Sequence, residues 1–198
     1  AKRAVELVQA DALQLHLNAV QETVMPEGAR DFSHWARSIA AIVATSPVPV
    51  IVKEVGFGLS RRTITQLQGI GVAHADVGGR GGTDFVAIER SRRTDDAYGW
   101  LNGFGQTTVE CLLDAPSGPD SLIASGGVRH PLDVLRALAL GADAVGVAGA
   151  FLRVVTEGGA GALVPVLRSW DTQIRSALAL LGAPDIDALR DTDLLIRG

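Results

Sequence analysis

Short apolar segments alternate with longer amphipathic segments along the whole chain, a pattern typical of repeated strand–helix units in a parallel sheet. The apolar segments have the length of buried strands, about four to eight residues. Strands are predicted at residues 12–17, 48–55, 72–77, 121–124 and 144–147. A (β/α)8 barrel needs eight strands, so these five units do not close one. The pattern leaves two α/β architectures open: an open doubly wound sheet, or the later five units of a barrel.

The amphipathic segments carry start and stop signals for helices. Helices are predicted at residues 32–45, 60–69, 107–114, 131–140, 161–181 and 185–189. Ser60 suits an N-cap, and Pro131 suits a first helical turn, where a missing N–H costs little. Gly69 and Gly141 are predicted to end helices in the left-handed conformation. No linker or low-complexity tract divides the chain, so residues 1–198 are predicted to form one domain.

The first predicted strand has a polar face. Alternation separates Leu13, Leu15 and Leu17 from Gln14, His16 and Asn18. A strand inside a parallel sheet is normally apolar on both faces, so the polar residues indicate either a barrel mouth or a solvated edge strand. Gln21 and Glu22 are predicted in the loop at the carboxyl end of this strand, where barrel and open-sheet enzymes keep their chemistry.

Lys53 lies near the end of an otherwise apolar predicted strand. Burying an ammonium group without a partner is costly. Glu54 is its neighbour in sequence, but successive side chains of a strand point to opposite faces. A bound anionic ligand or a carboxylate on another strand is therefore the favoured partner, and a purely structural ion pair stays open.

Glycine-rich segments follow the later predicted strands. Residues 78–82 contain four glycines, which let the backbone approach a planar ligand closely, and Thr83 adds a hydroxyl group. Residues 125–129 and the Ala148-Gly149 pair follow the last two strands. In (β/α)8 enzymes the loops after the last two strands commonly bind phosphate through backbone N–H groups. The sequence therefore predicts a phosphate site, with Arg129 as either a charged contact or a surface residue.

Composition narrows the class of partner. The net charge is −4 and no basic run is present, which argues against nucleic-acid binding. The single cysteine, Cys111, excludes an intrachain disulfide and a cysteine-based zinc site, and a small buried side chain is its expected role.

Apolar runs stay short of the roughly 18 residues of a membrane helix, so a cytoplasmic protein is expected. His74 is expected to be a core residue, and residues 90–96 are predicted to form a solvated loop.

Taken in order, these segments resemble the type 2, FMN-dependent isopentenyl-diphosphate isomerases. The matching stretches are His16-Leu17-Asn18-x-x-Gln21-Glu22, Arg30-Asp31-Phe32, and residues 52–58, 79–83, 125–129 and 137–148. The resemblance covers essentially the whole chain, and the first stretch separates this family from other FMN barrels. It implies a TIM (β/α)8 barrel of which about the last five βα units are present and the N-terminal strands are missing.

The resemblance implies interconversion of isopentenyl and dimethylallyl diphosphate, with reduced FMN, Mg²⁺, and NADPH as the reductant. Gln21 resembles the substrate-contacting, catalytic glutamine and Glu22 the carboxylate that binds Mg²⁺. His16 and Asn18 match residues around the substrate diphosphate. The flavin-binding positions that match are Lys53, Thr83, Gly126, Gly127, Val128, Arg129, Ala148 and Gly149. The resemblance also suggests a homo-oligomer, a tetramer or an octamer, and Ala19 departs from a position that is often proline.

Two other functions remain open at this point. One is another FMN-dependent barrel oxidoreductase, such as an α-hydroxy-acid oxidase, because the phosphate loops are shared. The other is a non-catalytic fragment that binds FMN or phosphate. A chain of five units leaves a barrel seam open and exposes its interior, so we expect weak or no activity from this chain alone.

Overall fold

The fold was obtained as a computed structural model, which describes residues 1–193. Its helices are α1 (Lys2–Val8), α2 (Ala19–Val24), α3 (Trp35–Thr45), α4 (Arg61–Gly69), α5 (Phe85–Ser91), α6 (Thr108–Asp114), α7 (Pro131–Ala139), α8 (Gly149–Leu180) and α9 (Ile186–Arg190). Its strands are β1 (Leu13–His16), β2 (Val50–Lys53), β3 (His74–Asp76), β4 (Ser121–Ser125) and β5 (Ala144–Gly146). All five predicted strands are present, four of them shorter than predicted.

The five strands form one parallel sheet whose spatial order is the order of the sequence, β1-β2-β3-β4-β5. A doubly wound sheet would instead reverse direction at a switch point. Consecutive parallel strands joined by helices are the arrangement of a (β/α)8 barrel wall. The alternative of an open doubly wound sheet is therefore wrong, and the fold is part of a TIM barrel.

The two faces of the sheet differ as the alternation in the sequence predicts. The face toward the helices is apolar and forms the main core, in which Val52, Val77 and Ala124 are fully buried. The leucines of β1 pack against this core. The opposite face carries the polar side chains of the strands. The sheet therefore presents its polar face to the inside of the barrel.

Several helix ends follow the predicted chemistry. The Ser60 hydroxyl accepts a hydrogen bond from the backbone N–H of Thr63, and Pro131 is the first residue of α7. Gly141 has a positive φ of 97°. Helix α4 ends at Gly69 as predicted, but the left-handed conformation is taken by Gly71, with a φ of 89°, and not by Gly69. The chain continues past Gly69 before it turns.

Two short helices were not predicted, and they correct two loop assignments. Gln21 and Glu22 lie inside α2, and the predicted solvated loop at residues 90–96 begins inside α5. Each helix has a capping side chain: Asn18 accepts from the N–H of Gln21, and Asp84 accepts from that of Ala87. Such short helices depend on packing more than on propensity, so periodicity does not reveal them.

The last long helix, α8, begins earlier than predicted and is interrupted at Gly159, where φ is 73° and ψ is 176°. The rings of Phe151 and Trp170 lie 4.8 Å apart between centroids, although a straight helix would separate these residues by about 28 Å. The two halves of α8 therefore fold against each other. By length and composition alone α8 could cross a membrane, which the short apolar runs of the sequence did not suggest.

Candidate active site

A pocket of about 880 Å³ opens at the carboxyl end of the sheet. Strands β2 to β5 each contribute their last residue to the lining, Lys53, Asp76, Ser125 and Gly146, and β1 contributes Gln14. This is the end of a barrel where active sites are built, and the volume lies in the range of ligand pockets. The polar face of the sheet thus leads into one cavity.

One side of the pocket, here called the glycine wall, consists of residues 78–82 and 126–127. Gly126 has a φ of 100°, and a Cβ on it would lie 2.0 Å from the carbonyl oxygen of Gly79. The Thr108 hydroxyl bonds the carbonyl oxygens of Ser125 and Gly126, both at 2.8 Å. Backbone therefore packs directly on backbone, which leaves room at the pocket side for a flat ligand.

The predicted phosphate residues come together at one end of the glycine wall. Gly127, Val128, Arg129, Ala148 and Gly149 all line the pocket. Ala148 caps the N-terminus of α8, whose first N–H groups favour an anion. These donors and the cradle of glycines fit the phosphate of FMN.

Arg129 and Thr83 also line the pocket, at its rim. The Arg129 guanidinium donates to the carbonyl oxygen of Gly81 at 2.6 Å, which ties the two glycine-rich loops together. Thr83 is exposed, and a Cβ on Gly56 would lie 2.3 Å from its carbonyl oxygen. Arg153 on the second turn of α8 is a further lining cation that the sequence did not single out.

Lys53 has the cross-strand carboxylate that its position favours. Its Nζ lies 3.7 Å from Oδ2 of Asp76 on the next strand, and both side chains are largely buried. The same ammonium donates to the backbone carbonyl of Glu54 at 2.7 Å. The side chain of Glu54 is turned away, as alternation requires. Lys53 therefore enters the pocket as part of an ion pair.

The carboxylate of Glu54 stabilises the turn after β2. Its Oε2 accepts hydrogen bonds from the N–H groups of Phe57, at 2.6 Å, and Gly58, at 3.1 Å. The side chain is buried, and desolvation raises the pKa of Glu54 to about 7 despite these donors. Phe57 then packs against Val24 of α2 and Val86 of α5. The turn thus connects the pocket to the two short helices.

Those helices, α2 and α5, lie beyond this turn and are here called the charged wall; none of their residues lines the pocket itself. Gln21 Nε2 donates to Oε1 of Glu89 at 3.1 Å, and Arg92 donates to the other carboxylate oxygen at 2.5 Å. Glu89 is 4% exposed. Arg92 also contacts Glu27 at 2.7 Å, and hydrogen bonds to the two carboxylates raise its pKa. A buried amide–carboxylate pair is therefore held between two helices.

Glu89 is the functional candidate that the sequence reading missed. The arginines after it suggested a solvated loop, whereas Arg90, Arg92 and Arg93 each pair with a carboxylate. The available signal was Asp84, which starts α5 as an N-cap. Counting in helical turns from Asp84 places Glu89 near the apolar Val86 on the inner face.

The remaining predicted substrate residues lie at the join of β1 and α2. Asn18 is 6% exposed, and its amide donates to the carbonyl oxygen of Val55 at 2.9 Å. His16 shares the face of Gln14, which lines the pocket. Burial and the nearby charge of Lys53 lower the pKa of His16, so its ring is neutral at pH 7. Asn18 thus positions the helix that carries Gln21.

Glu22 is half-buried on α2. Its Oε2 accepts from the N–H of Ala29 at 2.8 Å, and Oε1 makes no hydrogen bond within residues 1–193. The described part of the chain contains no cluster of three metal-binding side chains. One free carboxylate oxygen fits a Mg²⁺ ion that takes most of its ligands from substrate and water.

The other assessed side chains are structural. His74 Nδ1 lies 2.9 Å from the Ser121 hydroxyl, so its ring has a hydrogen-bond partner, but the residue is half-buried on the polar face of the sheet and is not part of the core. Cys111 is fully buried, and desolvation raises the pKa of its thiol to about 12. It is therefore a small buried side chain, as predicted.

Comparison with known proteins places these features in context. Residues 6–196 match the family of FMN-dependent dehydrogenases. Proteins named isopentenyl-diphosphate delta-isomerase are similar to this chain: that of Nocardia farcinica is 56% identical, and that of Kitasatospora griseola 54%. Each alignment covers 100% of this chain but 55% and 54% of the relative. The chain thus spans about half the length of the curated relatives it matches.

Solved structures show the same fold at lower identity. A mandelate oxidase variant with 2-hydroxy-phenylacetamide has a TM-score of 0.67 and 22% identity, covering 96% of this chain and 57% of the other. Mandelate oxidase with benzoyl-formic acid has a TM-score of 0.58 and 23% identity, covering 80% and 42%. These likenesses concern the barrel alone.

Proposed function

This chain belongs to the family of FMN-dependent dehydrogenases, and from that premise we propose that it is part of an FMN-dependent isopentenyl-diphosphate delta-isomerase. The observation that carries the proposal is the flavin-sized pocket lined by Lys53, the glycine wall and the start of α8. Support comes from relatives of that name at 46–56% identity across nearly all of the chain.

The glycine wall and the start of α8 hold the FMN phosphate in this proposal. Gly126 and Gly127 allow the phosphate to approach the backbone closely. The N–H groups of Val128, Ala148 and Gly149, which also line the pocket, supply hydrogen-bond donors for this anion. Lys53 and Thr83 line the same pocket and would hold the flavin ring system, where the Lys53 charge would favour an anionic reduced form. Bound in reduced form, FMN supplies a group that exchanges a proton with the allylic unit.

The charged wall orients the substrate and supplies a proton acceptor. The isomerisation adds a proton at one end of an allylic unit and removes one from the other end. Gln21 binds the substrate, and Glu89 fixes the amide by accepting its N–H at Oε1. The carboxylate of Glu89 is also proposed to accept the departing proton, which is the work of a positioned general base.

The substrate diphosphate and its metal lie at the join of β1 and α2. Glu22 offers one carboxylate oxygen to Mg²⁺, and diphosphate oxygens and water complete an octahedral shell. His16 and Asn18 lie around the diphosphate in this proposal. His16 is a neutral ring there, and Asn18 acts mainly as the N-cap that fixes the start of α2. NADPH is the proposed reductant of the flavin.

The test uses the purified protein as its cell produces it, with FMN, NADPH, Mg²⁺ and isopentenyl diphosphate. Formation of dimethylallyl diphosphate that requires both FMN and reductant supports the proposal. Oxidation of mandelate without isomerisation would favour an oxidase instead, and a flavin spectrum without either activity would favour a binding protein. The 198-residue chain assayed alone is expected to show weak or no turnover.

Two further proposals concern the assembly and the location of the protein. The protein is proposed to form a homo-oligomer, a tetramer or octamer, which its mass in solution by light scattering tests. A cytoplasmic location is proposed and is tested by cell fractionation.

A further inference from the structure

Three polar side chains form a row across the sheet at the mouth of the pocket. The strand register pairs His16 with Lys53 and Lys53 with Asp76. Residues paired in register on neighbouring strands point to the same face. His16 is neutral at pH 7 because burial and the Lys53 charge lower its pKa. Lys53 and Asp76 are therefore the two charges of this row.

Asp76 has a protein partner at each carboxylate oxygen. Its Oδ2 lies 3.7 Å from Nζ of Lys53. Its Oδ1 accepts from the Ser125 hydroxyl at 2.6 Å and from the N–H of Gly78 at 3.2 Å. The residue is 4% exposed. Asp76 thus connects the lysine to both loops of the glycine wall, since Gly78 and Ser125 begin them.

The ammonium of Lys53 has three N–H donors. One is used by the Glu54 carbonyl, at 2.7 Å, and a second faces Asp76. The third remains for a ligand in the pocket that Lys53 lines. Asp76 also offsets the positive charge that Lys53 brings to this ligand, because the two charges are less than 4 Å apart.

We propose that Asp76 is a positioning residue for the flavin site: it aims the Lys53 ammonium at the cofactor and lowers the reduction potential of bound FMN. The inference rests on the proposed placement of FMN in this pocket. It does not require that isopentenyl diphosphate be the substrate. In this proposal Asp76 acts on the cofactor through Lys53.

The first experiment measures the midpoint potential of FMN bound to the full protein carrying Asp76→Asn. Loss of the negative charge leaves Lys53 uncompensated, so the ratio of affinities for reduced and oxidised FMN should rise about tenfold. For a two-electron couple this is a positive shift of about 30 mV. An unchanged potential would overturn the proposal.

Ser125→Ala is the matched control. It removes a hydrogen bond to the same carboxylate and leaves the charge of Asp76 in place, so FMN affinity should fall while the potential stays unchanged. A potential shift equal to that of Asp76→Asn would mean that loop disturbance, and not charge, sets the potential. That outcome would also contradict the proposal.

A second measurement covers the case in which Asp76→Asn does not fold. In Lys53→Met the buried Asp76 loses its counter-charge and should take up a proton. The comparison is made in a Glu54→Gln background, which removes the carboxyl whose pKa is about 7. A carboxylic-acid band should then be present in the infrared spectrum of Lys53→Met and absent from that of the parent with Lys53. If the band is absent from both, Asp76 does not depend on Lys53 and the proposal fails. None of these readouts uses isomerase activity, so failure of the proposed reaction would be seen separately.

Discussion

The glycine wall and the charged wall are built by opposite means. The glycine wall is built from backbone, and its shape depends on missing side chains: a Cβ at Gly126 would meet the Gly79 carbonyl at 2.0 Å. The charged wall is built from side chains, with Glu89 bonded to both Gln21 and Arg92. Added side-chain volume should therefore disturb the glycine wall most, and loss of a side-chain charge should disturb the charged wall most.

The difference has a chemical reason. A phosphate is bound well by N–H groups that are fixed in place, and these need no side chain. A proton exchange needs a titratable group whose environment is controlled, and only a side chain supplies one. Substitutions that add a methyl group should therefore harm cofactor binding, and substitutions that remove a charge should harm turnover.

The largest effect is expected from Gly126→Ala. The added Cβ has no space and the φ of 100° is unfavourable for alanine, so the two loops must separate. We expect a loss of about 2–4 kcal/mol of stability from strain and clash, and FMN affinity at least roughly 100-fold weaker. Urea unfolding and flavin fluorescence titration measure the two effects.

Gly141→Ala is the control for this prediction. Gly141 has nearly the same φ, 97°, but nothing lies within 4 Å of a Cβ there. The Gly141→Ala variant should lose about 1 kcal/mol of stability and bind FMN with wild-type affinity. Equal losses in the two variants would show that backbone strain, and not close packing, limits the glycine wall.

Glu89→Gln tests the charged wall. The glutamine amide has nearly the same shape and its oxygen can still accept from Gln21, but the charge and the hydrogen bond from Arg92 are lost. We expect kcat to fall by roughly 10²–10³, the range for loss of a general base, with FMN affinity unchanged. Steady-state kinetics and flavin titration on the same preparation measure both.

Glu27→Gln is the control: it removes the exposed partner of Arg92 and should change kcat less than about twofold. A similar loss in both variants would assign the effect to the ion-pair network.

Glu22→Gln tests the proposed metal ligand. The Mg²⁺ concentration needed for half-maximal activity should rise by more than the roughly tenfold that loss of an outer-shell partner costs. Flavin binding should not change, because Glu22 lies on the charged wall. Activity measured over a Mg²⁺ titration gives the result, and an unchanged titration would remove Glu22 from the metal site.

The smallest effect is expected where the two walls join, at Glu54. Burial raises its pKa to about 7 from 4.5, so the folded state holds a proton that the unfolded state releases. Wild-type stability should therefore fall as the pH rises from about 4.5 to 7. Glu54→Gln removes this dependence and should gain about 1–2 kcal/mol relative to wild type between pH 5 and pH 8.

Urea unfolding at pH 5 and pH 8 measures the Glu54 effect. Glu110→Gln is its control. Hydrogen bonds in the Thr107 capping box lower the pKa of Glu110. It is therefore charged across this range, and its effect should not depend on pH. A pH-independent difference for Glu54→Gln would contradict the raised pKa.

The sequence by itself determined the strands, their apolar face and the glycine loops. These features are local: alternation places Leu13 and Leu15 on one face, and glycine is needed wherever the chain turns left-handed or packs on backbone. The helix caps at Ser60 and Thr107 are local for the same reason. The resemblance that rests on these segments agrees with the matched family and with the names of the relatives.

The tertiary structure alone decided which groups meet. Gln21 and Glu89 are 68 positions apart, and Lys53 is 23 positions from Asp76, so no spacing rule joins them. The helices α2 and α5 form because Val24 and Val86 pack together on Phe57, a contact between distant segments. Helices this short gain their stability from such packing. Hydrophobic pattern therefore specified the barrel wall, and the polar partners followed from which strands and helices became neighbours.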